Sequence, residues 1–173
     1  MRANMSTAIA VTRQLGIADE VALRGMRRAR PDPGAATAWA VHTGAREVYM
    51  VDATAANDPD SLEAILGPPT TPRVFVFHHR ADRPFRLRQF ADAFPWHCPD
   101  DVVLLTGDRP DWLTWRRVRQ GLGPNCASIV STGRLGDAVG RTLAARPETS
   151  TIVCCGNSRE FKIDQLRTAV ERA

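Results

Sequence analysis

Lysine is nearly missing from this chain. Lys162 is the only one, so arginine supplies 22 of the 23 Lys and Arg residues, at a net charge of +4. Lys162 falls in the last helix-like segment and follows no glycine turn, and a GxxxxGK[ST] phosphate loop is absent. So are a GxGxxG after the first strand and a GxSxG nucleophile elbow. Ser128, Ser131 and Ser158 have no His or Asp at a spacing that would make them nucleophiles. No run approaches the roughly 20 apolar residues needed to span a bilayer. The N-terminal MRANMSTAIAVTRQLG lacks the apolar centre of a signal peptide. A soluble, cytoplasmic chain is the expectation. Cys98, Cys126, Cys154 and Cys155 form no CxxC pair and read as reduced thiols. His97-Cys98 and His78-His79 lack spaced partners, so no metal site is expected. The modest charge and the lack of RNA-recognition or zinc-finger patterns point away from nucleic acid.

What is present is an alternation of short apolar runs with helix-like segments. Residues 3–29 read as two helices. The first carries Ala8, Val11 and Leu15 on one face and stops at Gly16; the second opens at Asp19 and carries Val21, Leu23 and Met26. Pro31-Asp-Pro-Gly34 is a breaker that divides a helical element, 1–33, from a second domain, 34–173. Strands are expected at 36–43, 47–51, 74–77, 102–105, 127–130 and 151–155. Helices are expected at 60–66, 84–94, 112–120, 135–145 and 159–172. Strands separated by helical patterns of this length indicate βαβ units. The expected fold is α/β and Rossmann-like, a mostly parallel sheet of about five to six strands with flanking helices, preceded by the two-helix element.

In such a sheet the strand ends fall on one edge, where open α/β folds place ligands. The stretch Val48–Leu62 shows this arrangement. VYMV ends in Asp52, small residues follow, and Asn57-Asp58-Pro59-Asp60-Ser61 precedes a helix whose first amides favour anions. The plain alternative is an ordinary Asx/Pro helix start. The other strand ends are His78-His-Arg80, Thr106-Gly-Asp-Arg109, Ser131-Thr-Gly-Arg134 and Gly156-Asn-Ser-Arg159. Together they make a polar crescent with Arg80, Arg83, Arg109, Arg134 and Arg159. Arg80, Arg83 and Arg86 are expected to crowd around Asp82. Arginine forks suit carboxylate and phosphate, so a polyanionic substrate fits the composition.

Four stretches carry a resemblance: Arg30-Pro-Asp-Pro-Gly34, Val51-Asp-Ala-Thr-Ala-Ala-Asn-Asp-Pro-Asp-Ser61, Arg80-Ala-Asp-Arg-Pro84 with Arg86 and Gln89-Phe90, and Gly156-Asn157. With these the chain resembles the C-terminal part of Mur-ligase-type amide ligases, in particular the ligase subunit of poly-γ-glutamate (capsule) synthases. The resemblance implies an ADP-forming ligation through an acyl phosphate, with ATP and Mg²⁺ handled by an ATPase domain or subunit whose phosphate loop is absent here. It implies that Asp52 lies near the nucleotide ribose. Asn57, Asp58 and Ser61 lie in the matched loop, Arg80, Asp82 and Arg83 near phosphate or a substrate carboxylate, and Asn157 in the matched ending. Its partners would be glutamate or the poly-γ-glutamate chain, the ATPase part and membrane subunits of a capsule synthase. That would put it peripherally at the inner membrane face. Two positions depart from the pattern: Ala35 replaces the usual arginine after Pro-Gly, and Gly156-Asn-Ser-Arg-Glu160 replaces Gly-Asn-Ile-His-Gly. No catalytic residue is expected in this chain, and no activity of it alone. A non-catalytic Rossmann-like binding module and an unrecognised small α/β enzyme are the alternatives.

Overall fold

The computed structural model describes residues 2–28, 36–44, 46–56, 58–68, 70–93, 100–122, 126–157 and 160–172, with backbone alone at 2–4, 121–122 and 126–128. Asn57, Ser158, Arg159, His97-Cys98 and the 30–35 breaker lie outside these residues. The chain forms two compact units, Met1–Pro33 and Gly34–Ala173.

The first unit is a helical hairpin of α1 (Arg2–Gln14) and α2 (Asp19–Arg28). Asp19 and Glu20 sit in the first turn of α2, where carboxylates suit the helix dipole. Asp19 also pairs with Arg13 across the turn at 2.5 Å. Ala22 is buried, whereas Val11, Leu15 and Val21 are exposed.

The second unit holds a six-stranded sheet in the order β1-β2-β6-β3-β4-β5. Its strands are β1 (Thr37–Thr43), β2 (Arg46–Asp52), β3 (Arg73–His79), β4 (Val102–Gly107), β5 (Cys126–Ile129) and β6 (Thr151–Gly156). Its helices are α3 (Pro59–Leu66), α4 (Pro84–Ala93), α5 (Trp112–Leu122), α6 (Leu135–Ala145) and α7 (Ile163–Glu171). β1 pairs with β2 antiparallel, and the remaining pairs are parallel. This is the expected α/β architecture.

β3 is buried along its whole length, as a near-continuous apolar run in a two-sided sheet should be. Strand alternation then sorts the core. Val74 and Val76 face one cluster with Val41, Met50 and Leu104 of the sheet and Leu135, Val139 and Leu166 of α6 and α7. Phe75 and Phe77 face the other, with Leu62, Leu87, Phe90 and Val118 from α3, α4 and α5. Phe90 meets Phe77 edge-to-face at 5.2 Å.

β6 is the last strand in sequence, yet it lies between β2 and β3. The chain leaves β2 and β3 toward α3 and α4 on one face, but leaves β6 toward α7 on the other. Neighbouring strands whose connections diverge make a switch point, and a crevice opens at their carboxyl ends.

Some boundaries differ from the sequence reading. β3 was expected to stop at Phe77, with His78 and His79 in a loop. Both instead belong to the strand and are buried. Their backbones pair with Thr106 and Gly107 of β4. The His78 ring is 5.3 Å from that of Phe161, and its Nδ1 lies 3.0 Å from the Asn157 carbonyl oxygen. A polar residue so partnered can be buried without the cost of an unmet donor. The last helix was expected from 159 and starts at Ile163. Glu160 before it sits at φ +67°, outside the helical region.

Candidate functional site at the carboxyl edge

The five parallel strands deliver their carboxyl ends to one edge, and the residues expected there occupy it. Asp52 ends β2, and its Oδ1 accepts from the Thr54 amide at 3.0 Å and the Thr54 hydroxyl at 2.6 Å. Asp58 is the N-cap of α3 in extended conformation, with Pro59 in the first turn. It accepts from the Ser61 amide and hydroxyl, each at 2.8 Å. The local geometry here is that of the plain Asx/Pro helix start. These bonds from Ser61, with a smaller contribution from Arg86, hold the Asp58 carboxyl below its ordinary range.

The arginine segment divides in a way the sequence reading did not anticipate. Arg80 pairs with Asp82 at 2.6 Å, and Arg83 is exposed. Arg86 does not join Asp82. Its Nη1 donates to the Gly156 carbonyl oxygen at 2.9 Å and to Asn157 Oδ1 at 2.8 Å. Asn157 is buried, and its amide donates in turn to the His78 carbonyl oxygen at 2.9 Å. Asn157 is thus engaged as a bracket between β3, β6 and α4, and it positions Arg86. The neighbouring loop is tied in as well: the Ala81 amide donates to Asp108 Oδ2 at 2.8 Å, and the Asp108 amide to the His79 carbonyl oxygen at 3.0 Å.

The charges of this cluster act on one another. Burial lowers the pKa of Arg86, and the positive charges of Arg83 and Arg80 lower it further, while Asp58 and Asp82 act the other way. Arg80 and Arg83 are therefore close enough to repel Arg86, while Asp58 and Asp82 act to offset them. An incoming anion would relieve that repulsion, and the half-buried setting makes each contact stronger than it would be in water. The sequence reading set Arg86 around Asp82 and His78 at a strand end, without the partners they have here. The available signal was spacing: Arg86 follows Arg83 by one helical turn at the start of α4.

Three buried groups lie apart from binding. Burial raises the thiol pKa of Cys154 and of Cys155, so both stay protonated and inert. Burial lowers the pKa of His79, which Asp108 and Asp111 only partly counter. Its neutral form is favoured in the fold, whereas the unfolded chain takes up a proton near pH 6.5. Stability is thus complete above that pH and is lost as the pH falls below it. The melting temperature is expected to drop between pH 7.5 and 5.5, and His79→Gln to flatten the drop. An equal drop in that variant would assign the effect to another group.

Among the described residues, no helix is long and apolar enough to cross a membrane. The family described as the poly-gamma-glutamate synthase CapB C-terminal domain matches residues 39–172. Two curated proteins are similar. The PGA synthase CapB of Bacillus subtilis (strain 168) is 35% identical over 109 residues, which cover 59% of this chain and 28% of that protein. The capsule biosynthesis protein CapB of Bacillus anthracis is 35% identical over 112 residues, covering 61% and 24%. The chain thus spans about a quarter of the length of these relatives. The matched region takes in the whole Asp52–Asp58 and Arg80–Asn157 edge, and the chain belongs to the family of poly-gamma-glutamate synthase CapB C-terminal domains.

Proposed function

We propose that this chain is the substrate-side part of a Mur-type, ATP-dependent amide ligase that builds poly-γ-glutamate. The observation that carries this reading is the Arg80–Arg83–Arg86 cluster at the β3–β6 switch point, with Arg86 held by Asn157 and Gly156. Glutamate carboxylates and phosphate oxygens are the anions that arginine forks bind best.

ATP with Mg²⁺, when bound, supplies the phosphoryl group that activates a carboxylate for attack by the glutamate amine. The donor set here fits the anionic side of that chemistry. Arg80 and Arg83 would contact phosphate or a substrate carboxylate, and Arg86, rigid on its bracket, would hold the charge at one place. Asp52, fixed by Thr54, faces the same edge and suits a ribose hydroxyl. Asn57, Asp58 and Ser61 complete that wall in this reading. The cation is a different matter. Among the described residues no three His, Cys, Asp or Glu side chains converge on one point, and the sequence has no phosphate loop. In this reading those parts belong to an ATPase domain or subunit that meets the carboxyl edge, and membrane subunits hold the assembly at the inner membrane face.

The test is reconstitution. The 173-residue chain alone is expected neither to hydrolyse ATP nor to incorporate glutamate. Combined with the phosphate-loop part it is expected to do both, and Arg80→Ala or Arg83→Ala to lower glutamate incorporation by about 10- to 100-fold. That range corresponds to the loss of one charge-assisted hydrogen bond, about 1.5–3 kcal/mol. Activity of the isolated chain, or unchanged turnover in both variants, would sink the assignment.

A further inference from the structure

α5 begins at the carboxyl edge and runs away from it, and its outward side is unlike the other helices of this unit. Its sequence, WLTWRRVRQGL, has three arginines and no acid. Val118 and Thr114 point inward and are buried. Trp112, Arg116, Arg119 and Gln120, with Trp115 half-buried against the core, line an open cavity of about 370 Å³ on the outer side. The Arg116 guanidinium lies 5.6 Å from the centre of the Trp112 ring, which is 67% exposed. Asp111, the acid next to this helix, is already engaged, accepting from the Thr114 amide at 2.9 Å and its hydroxyl at 2.6 Å. Arg117 and Arg119 meet no carboxylate among the described residues.

We infer that this face of α5 is a track for the growing polycarboxylate chain as it leaves the carboxyl edge. The inference rests on the ligase reading for the identity of the polymer. Trp112, Trp115, Arg116 and Arg119 are spaced as one helical stripe, and its two cations stand one turn apart, with Cβ atoms about 5–6 Å from each other. A γ-linked glutamate residue has two more backbone carbons than an α-linked one. Its carboxylates therefore recur at roughly 6 Å along an extended chain, on alternating sides of it. Arg116 and Arg119 can each take one carboxylate of the same polymer, while the exposed Trp112 ring covers methylene groups beside them. The track starts at the edge, because β4 ends at Gly107 and α5 opens at Trp112. An anionic membrane is the competing occupant, given exposed Phe85, Trp112 and Leu113. The polymer is favoured because Arg116 and Arg119 line the cavity itself, and the vesicle arm of the test below decides between the two.

The experiment is a titration of the 173-residue chain with an N-acetylated γ-linked glutamate decamer at low salt, followed by tryptophan fluorescence and calorimetry. Free glutamate serves as the comparison. The decamer is expected to bind at least tenfold more tightly than the monomer. An Arg116→Gln/Arg119→Gln double variant is expected to lose at least tenfold in decamer affinity at unchanged circular dichroism. Trp112→Ala, tested by calorimetry, guards against a double variant that fails to fold and is expected to weaken binding too. No decamer binding, parental affinity in both variants, or capture by phosphatidylserine vesicles that the decamer does not displace would each overturn the track. The ligase reading has its separate readout in Arg80 and Arg83. A failed titration beside a positive reconstitution removes the track alone.

Discussion

Asp101→Ala is expected to destabilise the second unit by about 3–5 kcal/mol, the range for breaking a buried ion pair from one side. Asp101 precedes β4 and Arg73 opens β3, at the amino edge of the sheet and away from the arginine cluster. Their side chains are 5% and 6% exposed. Asp101 Oδ1 accepts from the Arg73 backbone amide at 2.7 Å, and Oδ2 lies 3.4 Å from Arg73 Nη2. The guanidinium also lies over the Phe75 ring at 5.1 Å. Removing the carboxylate takes a charged partner from a buried cation and an acceptor from a buried amide together. Urea unfolding should show the midpoint falling at constant slope. The double variant Arg73→Met/Asp101→Asn keeps an acceptor for the amide and removes the charge. It is expected to recover most of the loss, since a neutral replacement of a buried pair often costs little. A loss below about 1 kcal/mol for Asp101→Ala, the value of a solvated surface pair, would mean that water reaches the pair.

That pair also marks what the sequence leaves unreadable. The helix over Leu135–Ala145 has the same ends in the sequence reading and in the structure, because its apolar spacing is local. The Asp58 cap was legible for the same reason: an Asx followed by proline and a serine three residues on is a complete local signal. The sheet's alternation of strands and helices was legible too, but the place of β6 between β2 and β3 was not, since strand order depends on contacts among distant segments. The same applies to Arg86, whose partners Gly156 and Asn157 are 70 and 71 residues away. His78 and His79 were read as loop chemistry because histidine seldom fills a strand core. Only the Asn157 carbonyl and Phe161, remote in sequence, make burial of His78 tolerable. Asn57, Ser158 and Arg159 lie outside the described residues, so the Asp52–Ser61 wall rests on Asp52, Asp58 and Ser61.

The tightest point of the candidate site is expected to tolerate no side chain at all. Gly156 ends β6 at φ +98°, and a Cβ built there would lie 2.6 Å from the His78 carbonyl oxygen. Gly107 ends β4 at φ +89°, with a Cβ position 2.3 Å from the His79 carbonyl oxygen and 2.8 Å from the His78 ring. Alanine at either position meets two separate penalties. A positive φ costs a non-glycine residue about 1–3 kcal/mol, and forcing an atom into packed backbone costs about 1–3 kcal/mol more. A loss of about 3 kcal/mol or more is therefore expected for Gly156→Ala and for Gly107→Ala. Two other glycines separate the terms. Gly67 has φ +65° but nothing within 4 Å of its Cβ position, so Gly67→Ala should show the backbone cost alone. Gly133 has neither, and Gly133→Ala should be close to neutral. The expected order of melting temperatures is thus Gly133→Ala, then Gly67→Ala, then the two strand-end variants. The site should respond in parallel. The Gly156 carbonyl and the adjacent Asn157 hold Arg86, so backbone displaced by a Cβ at 156 takes the guanidinium with it, and anion binding should fall together with stability. Were Gly156→Ala no less stable than Gly67→Ala, the β3–β6 end would have room to move, and Arg86 would not be held in one place.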